Sequence, residues 1–304
     1  MKKELRPLFG DKTIARLSIL AAALLWSTSG LFAKAPLFDG WPEAHRGPLL
    51  AFWRALFASL VLVPMVRHPQ WSWRLVPMML AFAVMNFTFL SAMAHTEASN
   101  AIWLQNTAPV WVFLAGALIF HEPPKPRDWM LLAFGACGVG LILTFELRGA
   151  SAVGMIYGLL GGLFYAAVVV SLRQLRDYES VFLVAINHVF TAIVLAPYAW
   201  YQASAHHVWP SGTQWLFLAG FGALQMGLPY LLFARGLRHV PGHEASGITL
   251  LEPLLVPIWV FAAWHAAPTY QPPRWWTLVG GALIFTGLVL RYARTPRRHL
   301  KTED

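Results

Sequence analysis

The sequence predicts an all-α integral membrane protein of ten transmembrane helices, arranged as two inverted five-helix repeats. Three observations lead there. Of 304 residues, 57% are hydrophobic and only 12% charged, with a mean hydropathy of +0.53. Soluble domains carry about 25% charged residues, so this chain lacks the polar groups to cover its surface in water. The apolar residues also fall into ten runs long enough to cross hydrocarbon, which takes about 20 residues at 1.5 Å each. Finally, the basic residues concentrate in alternate connections between those runs.

The runs lie near 17–35, 49–66, 75–94, 98–120, 130–147, 153–172, 181–201, 214–234, 245–267 and 277–293. The first carries Trp26. Behind Lys2 and Lys3 and ending in Ala33-Lys-Ala35, it imitates a cleavable leader, but it is long for one and Pro36 would follow the cut, so it is read as a retained span. The second holds Arg54, the third Asn86, and the fourth Gln105 with Pro109. The fifth contains the single cysteine, Cys137, read as a small buried hydrophobe and not as part of a disulfide or metal cluster. The sixth carries Tyr165 and a ladder of Gly154, Gly158 and Gly162, whose direct meaning is close helix packing. The seventh holds Asn187 and His188, the eighth Gln225, Pro229 and Tyr230, the ninth Glu252 and Pro257, and the tenth is Gly-rich. Short connections rich in helix breakers, such as His121 to Asp128 and His206 to Gly212, leave no room for a soluble domain.

Positively charged loops are retained in the cytoplasm, so the charge count sets the orientation. With the N-terminus inside, Lys2, Lys3, Arg6, Lys12, Arg16, Arg67, Arg74, Lys125, Arg127, Arg173, Arg176, Arg235, Arg238, Arg291, Arg294, Arg297, Arg298 and Lys301 share one side, eighteen of the twenty-three. Lys34, Arg46, Arg148 and Arg274 fall on the other, and Arg54 lies within a span. The net charge of +9 is therefore an orientation signal and not a nucleic-acid footprint. Both termini are placed in the cytoplasm, the membrane is the cytoplasmic (plasma) membrane, and residues 1–16 and 294–304 are basic cytoplasmic tails. Trp71, Trp73 and Trp129 mark inner span ends, and Trp41, Trp209, Trp215, Trp275 and Trp276 outer ones, as an interfacial aromatic belt.

The halves overlay. Glu97-Ala-Ser99 matches Glu244-Ala-Ser246, Pro109-Val-Trp-Val-Phe113 matches Pro257-Ile-Trp-Val-Phe261, and Gly140-Leu-Ile-Leu143 matches Gly287-Leu-Val-Leu290, at offsets of 147, 148 and 147. The unit is five spans, giving repeats over 17–147 and 153–293. An odd number of spans inverts the second copy, and inverted repeats place a solute site near the bilayer midplane between them.

With Ala98-Ser-Asn-Ala101 entering the fourth span, a mid-span Pro, His121-Glu122 at its end, a Gly-rich fifth span and Leu251-Glu-Pro253 in the ninth, the chain resembles the EamA-type members of the drug/metabolite transporter superfamily. The second copy departs from that pattern, with Ala266-Ala-Pro-Thr-Tyr270 where a counterpart of Glu122 is expected. The resemblance implies a ten-helix exporter or exchanger of small metabolites.

Polar side chains in hydrocarbon are costly unless paired or facing a cavity, so each is a candidate. Glu252 lies about 10 Å inside its span, and Gln105 is its repeat equivalent at a similar depth from the opposite face. Pro109 frees the carbonyl of Gln105, Pro229 that of Gln225, and Pro257 that of Pro253. Gln105, Gln225, Glu252 and Asn86, with Trp26, Tyr165 and Tyr230, form the expected substrate site, and Glu252 is the candidate for coupling H+ to transport. Helix–helix hydrogen bonding and ordinary packing are the alternative uses of these residues. Arg54 is expected to snorkel to the boundary, the alternative being that it faces the interior and pairs with an acidic group of the substrate or with Glu252, while His188, His95 and His265 are candidates for a proton relay or for hydrogen-bonded packing. Glu97, Glu146 and Glu244 are read as interfacial. No cofactor or metal site is read.

The partners implied are a small-molecule substrate and the lipid bilayer. A membrane enzyme lacks its signals: His121-Glu-Pro-Pro and His243-Glu-Ala-Ser have no second His, and Ser27-Thr-Ser-Gly30 lacks the context of a nucleophile turn. No P-loop is found, so transport would run on gradients. A channel or structural membrane protein stays open as the other reading.

Overall fold

The computed structural model describes residues 11–123, 125–147, 151–240 and 242–292. The tails beyond them, with the basic residues assigned there, and Arg148 lie outside the described residues. In chain order the helices are α1 (Asp11–Ser27), α2 (Ser29–Ala33), α3 (Glu43–Leu62), α4 (Leu75–His95), α5 (Ala98–Gln105), α6 (Ala108–Leu118), α7 (Pro126–Glu146), α8 (Ala152–Gln174), α9 (Ser180–Ala205), α10 (Gly212–Gly222), α11 (Leu228–Gly236), α12 (Gly242–Thr249), α13 (Leu251–Trp264) and α14 (Trp275–Tyr292). A π-helical turn, Ala223–Gly227, joins α10 to α11. Among the described residues there is no strand.

Among the described residues nine helical segments are long and apolar enough to cross a membrane: Lys12–Ala33, Glu43–Met65, Leu75–His95, Ala98–Leu118, Pro126–Glu146, Ala152–Gln174, Ser180–Ala205, Gly212–Gly236 and Gly247–Trp264. A shorter apolar helix, Trp275–Arg291, follows where the tenth run was expected. Boundaries shift where capping decides them. α7 begins at Pro126, inside the expected loop, because Pro at the first helical turn lacks only an N–H that would go unused there, and the Asp128 carboxylate accepts the Lys125 backbone N–H at 2.8 Å.

The three most extensive helix contacts join the first half of the chain to the second, α4 with α8, α7 with α14 and α3 with α9, and α1 with α11 follows, level with α3–α4 inside the first half. Under the overlay of the halves, the α4–α8 pair is the counterpart of α11–α1, while α3–α9 and α7–α14 each pair a helix with its own equivalent. The two halves therefore share one packed interior. α4 is the most enclosed span, and lipid-facing positions such as Leu60, Ile193 and Leu216 are more than 60% exposed.

Small residues set the closest approaches. The glycine ladder of α8 lies against the first half as expected: Gly154 against the backbone of His95, Gly158 against Leu104, and Gly162 against Thr107 and the Leu104 carbonyl. α7 and α14 cross at Gly138 and Gly280, where a Cβ on either would come within 2.5 to 2.7 Å of the other's carbonyl oxygen.

Two expectations are corrected. Cys137 is exposed on α7, since an apolar side chain facing lipid has no need of protein burial. Trp41 is 4% exposed and packs on Phe38 with ring centroids 4.9 Å apart, so it belongs to the interior and not to the interfacial belt. Trp71, Trp73, Trp129, Trp209, Trp215 and Trp275 are exposed as a belt requires, and Trp276 is partly covered by stacking on Phe145.

The Gly138–Gly280 crossing is testable. Gly138→Val forces α7 from α14 and is expected to cost about 1–3 kcal/mol, the usual penalty of overpacking. Gly140→Ala, at a position with nothing within 4 Å, serves as the neutral control. Thermal unfolding of the purified protein in detergent checks this, and equal midpoints for the two variants would contradict the crossing.

Candidate functional site

Within lipid every backbone group needs an internal partner, so interrupted helices are tolerated only where protein or a cavity encloses them. Four spans here are interrupted. α1 yields to α2 at Thr28, residues 106 and 107 separate α5 from α6, the π turn separates α10 from α11, and Leu250 separates α12 from α13. Pro109 and Pro229 account for two of these breaks. Around the first, backbone N–H groups bond the carbonyls of Ile102, Leu104 and Thr107 and leave that of Gln105 free, as the sequence predicts. Gln105 itself is 9% exposed at the end of α5.

A polar and aromatic cluster connects the interrupted spans. Gln225, in the π turn, is 2% exposed and donates through Nε2 to the Trp26 carbonyl at 3.1 Å. The Trp26 ring meets those of Tyr230 and Phe233, with centroids 5.1 and 5.2 Å away. Tyr230 lies near His188, which stands edge-on to Phe82 at 4.8 Å. The Trp259 indole donates to the Ser27 hydroxyl at 2.8 Å, tying α13 to the end of α1.

Arg54 sits beside this cluster, about 16 Å along α3, and does not snorkel. It is 3% exposed, donates through Nη2 to the Asn86 amide oxygen, and lies over the rings of Phe221 and Phe89 at 5.1 and 5.8 Å. Asn86 is wholly buried and donates in turn to the Ala51 carbonyl at 3.1 Å, so both ends of its amide are engaged in holding Arg54. No carboxylate lies within 4 Å of Arg54 among the described residues, and Glu252 and Tyr230 act on it from further away. Glu252, in the first turn of α13, is half-buried. Among the described residues Arg54 Nε, Gln225 Oε1, Asn187 Oδ1 and both ring nitrogens of His188 are buried with no hydrogen-bond partner. His95 and His265, the other relay candidates, bond carbonyls of their own helices. Tyr165 is 40% exposed on α8.

A second polar region was missed. A cavity of about 260 Å³ lies between residues 34–46 and the α4–α5 junction on one side and the α13–α14 connection on the other. Lys34 lines it and donates through Nζ to the Thr96 carbonyl at 2.6 Å. Glu97, read as interfacial, is 8% exposed and faces the same cavity, with Arg274 Nε 3.9 Å away. Burial, followed by the Arg46 charge, pulls the Lys34 ammonium down to about 8. Burial, followed by the Glu146 carboxylate, pushes Glu97 up to about 7. Glu146 accepts from the Trp276 indole at 2.8 Å, and Glu244 pairs with Arg16 at 2.6 Å. The sequence carried one signal for this region: Lys34 is among the few basic residues on the side that positive charge avoids.

A model of the EamA-like transporter family matches residues 13–144 and again 152–293. The chain is 26% identical over 254 residues to an uncharacterized transporter of Archaeoglobus fulgidus, covering 80% of this chain and 86% of that protein. It is 24% identical over 298 residues to the uncharacterized transporter YwfM of Bacillus subtilis, covering 95% and 97%. It is 23% identical over 248 residues to the pseudopaline exporter CntI of Pseudomonas aeruginosa, covering 79% and 84%. A solved crystal structure superposes with a TM-score of 0.62 at 18% identity, covering 92% of this chain and 97% of that one, and so shares the fold.

The Glu97 environment gives a pH signature. In the unfolded chain this carboxyl titrates near 4.5, so between about pH 4.5 and 7 the folded protein holds a proton that the unfolded chain has released. Its contribution to stability therefore falls as pH rises through that window. Lys34 acts higher, between about 8 and 10.5, and does not overlap it. Glu97→Gln is expected to flatten the decline in unfolding midpoint between about pH 5 and about pH 7.5. An identical decline in both proteins would contradict the burial of Glu97.

Proposed function

The chain belongs to the EamA-like transporter family, and on that premise we propose that it is a secondary transporter exporting small metabolites, amino acids or related compounds, across the cytoplasmic membrane by alternating access. Ten spans form two inverted repeats over 17–147 and 153–293, with both termini cytoplasmic. The counterpart packing of α4–α8 and α11–α1 supports the repeat, as do Glu97 and Glu244, which stand at equivalent helix starts with Arg274 and Arg16 beside them. The side chosen for the basic residues then turns the Lys34–Glu97 cavity outward.

The observation that carries this reading is Arg54. A guanidinium deep in a span, held by a neutral amide and two aromatic faces and left without a carboxylate partner, keeps charge-assisted donors for an anionic group. Glu252 lies within electrostatic reach of it. A solute bearing a carboxylate and an amine complements that pair, and Trp26 and Tyr230 supply apolar faces for its side chain. Gln225 and the free Gln105 carbonyl complete the polar lining, Tyr165 contributes from α8, and Asn86 positions Arg54 without touching the solute. Discontinuous helices at mid-membrane are where secondary transporters bind their cargo, and rocking the halves about the site would expose it to each side in turn. Glu252 couples the movement to a proton by releasing or taking one up as the solute leaves. Export is the direction performed by the pseudopaline exporter among the relatives.

Proteoliposome flux of amino acids with and without a pH gradient tests the reading. Arg54→Met, which keeps the length of the side chain and removes the charge, is expected to lower flux by at least about tenfold, the loss of one charge-assisted contact. Glu252→Gln is expected to make flux indifferent to the gradient. Gradient-driven flux unchanged in Glu252→Gln would sink proton coupling, and full flux in Arg54→Met would sink the site.

A further inference from the structure

The cavity between Lys34 and Glu97 is separate from the Arg54 cluster in residues, and most of its charges are already committed. Arg46 binds the Asp39 carboxylate at 3.2 Å and the carbonyls of Asp39 and Trp41. The other Asp39 oxygen accepts from Thr269 at 2.8 Å. His95 is bonded to Ser91, and Glu43 is exposed. Besides the Arg46 Nε, which is buried with no hydrogen-bond partner among the described residues, two groups keep capacity. Lys34 uses one of three donors, on the Thr96 carbonyl. Among the described residues Glu97 is approached by Ser99 at 3.3 Å, by the Arg274 backbone N–H and by the Arg274 Nε at 3.9 Å, which leaves part of the capacity of its two oxygens unused, and the Arg274 side chain is 65% exposed. Because Lys34 is bonded to the residue immediately before Glu97, an ammonium and a carboxylate with unused valence stand within the reach of one small molecule.

We propose that this cavity is a second solute-binding site, in which a zwitterionic molecule of the α-amino-acid type places its carboxylate on Lys34 and its ammonium on Glu97. The proposal rests on the transport reading above and adds a second station on the same path. The size fits: about 260 Å³ is smaller than the roughly 300–1,000 Å³ of pockets for drug-sized ligands, as a small metabolite requires. One wall is aromatic. Trp264 is fixed by its indole bond to the Leu31 carbonyl at 2.8 Å, and Tyr270 stands beside it. The floor includes Pro257 and Val260 of α13, and Pro257 lies about 7 Å further along that helix than Glu252, so the two stations share one helix. The shifted titrations of Lys34 and Glu97 agree with this, because each is short of solvation and a zwitterion supplies the missing counter-charge to both.

Ala267 lines the cavity and Cys137 is the single cysteine, so Ala267→Cys in a Cys137→Ala background reports occupancy through its labelling by a membrane-impermeant maleimide on whole cells. The probes are the standard L-α-amino acids, with phenethylamine and 3-phenylpropionate as analogues of L-phenylalanine that each lack one charge. Protection by at least one amino acid is expected. For L-phenylalanine and its analogues, removal of one charge should raise the half-protecting concentration by about tenfold. Lys34→Met and Glu97→Gln, each added singly, are expected to weaken protection to the same extent. Arg54→Met is expected to lose flux and keep protection, which separates this site from the central one. The proposal is overturned if no standard amino acid protects, if protection survives both charge-removing substitutions, or if it disappears with Arg54. Flux in proteoliposomes without protection at Ala267→Cys would overturn the second site alone and leave the transport reading standing.

Discussion

A guanidinium cannot shed its charge to suit hydrocarbon, so the burial of Arg54 constrains everything around it. Its position on α3 requires an acceptor from a neighbouring helix, and α4 supplies Asn86, which is in turn anchored to the Ala51 carbonyl on α3. It also requires faces that tolerate a cation without competing for its hydrogen bonds, which Phe89 on α4 and Phe221 on α10 provide. These contacts bring α3, α4 and α10 together, and α9 adds His188 and Asn187 to the same interior. The arrangement satisfies Arg54 incompletely, since Nε has no partner. A buried polar group left short is expensive when the site is empty and selective when it is filled.

The interrupted helices belong to the same economy of polar groups. Each break exposes carbonyls or N–H groups that lipid would penalise, and each lies in a span whose neighbours can shield it. Gly162 brings α8 onto the break at residues 106 and 107, and Gly222 brings α10 against the backbone of α3 beside Arg54. Close glycine contacts, including the Gly138–Gly280 crossing, allow helices from the two halves to touch without interlocked side chains. Such surfaces suit the relative motion that the proposed alternating access requires.

Much of the architecture was legible in the sequence because hydropathy in a membrane protein is a direct record of solvent. The spans, the glycine ladder and the breaks at Pro109 and Pro229 follow from residue type alone. The break at Thr28 did not, since no proline follows it within a turn, and the break at Leu250 was missed although Pro253 stands three residues beyond it, as Pro109 does beyond Asn106. Arg54 was misjudged because snorkelling and burial begin from the same residue at the same depth, and the difference lies in Asn86, Phe89 and Phe221, which are 32 or more positions away in the chain. Lys34 and Glu97 escaped notice for a related reason. Each was counted as a span-end charge, and only the folded connection between α13 and α14 encloses them in a cavity.

The central claim is that Arg54 is held uncompensated in order to meet an anionic group of the cargo. The most direct test is a structure determined with a transported amino acid bound. The expected result is solute density with its carboxylate within about 3 Å of the Arg54 guanidinium and its amine toward Glu252. Bound solute whose carboxylate lies elsewhere, with Arg54 still held only by Asn86 and the two phenylalanine rings, would contradict it.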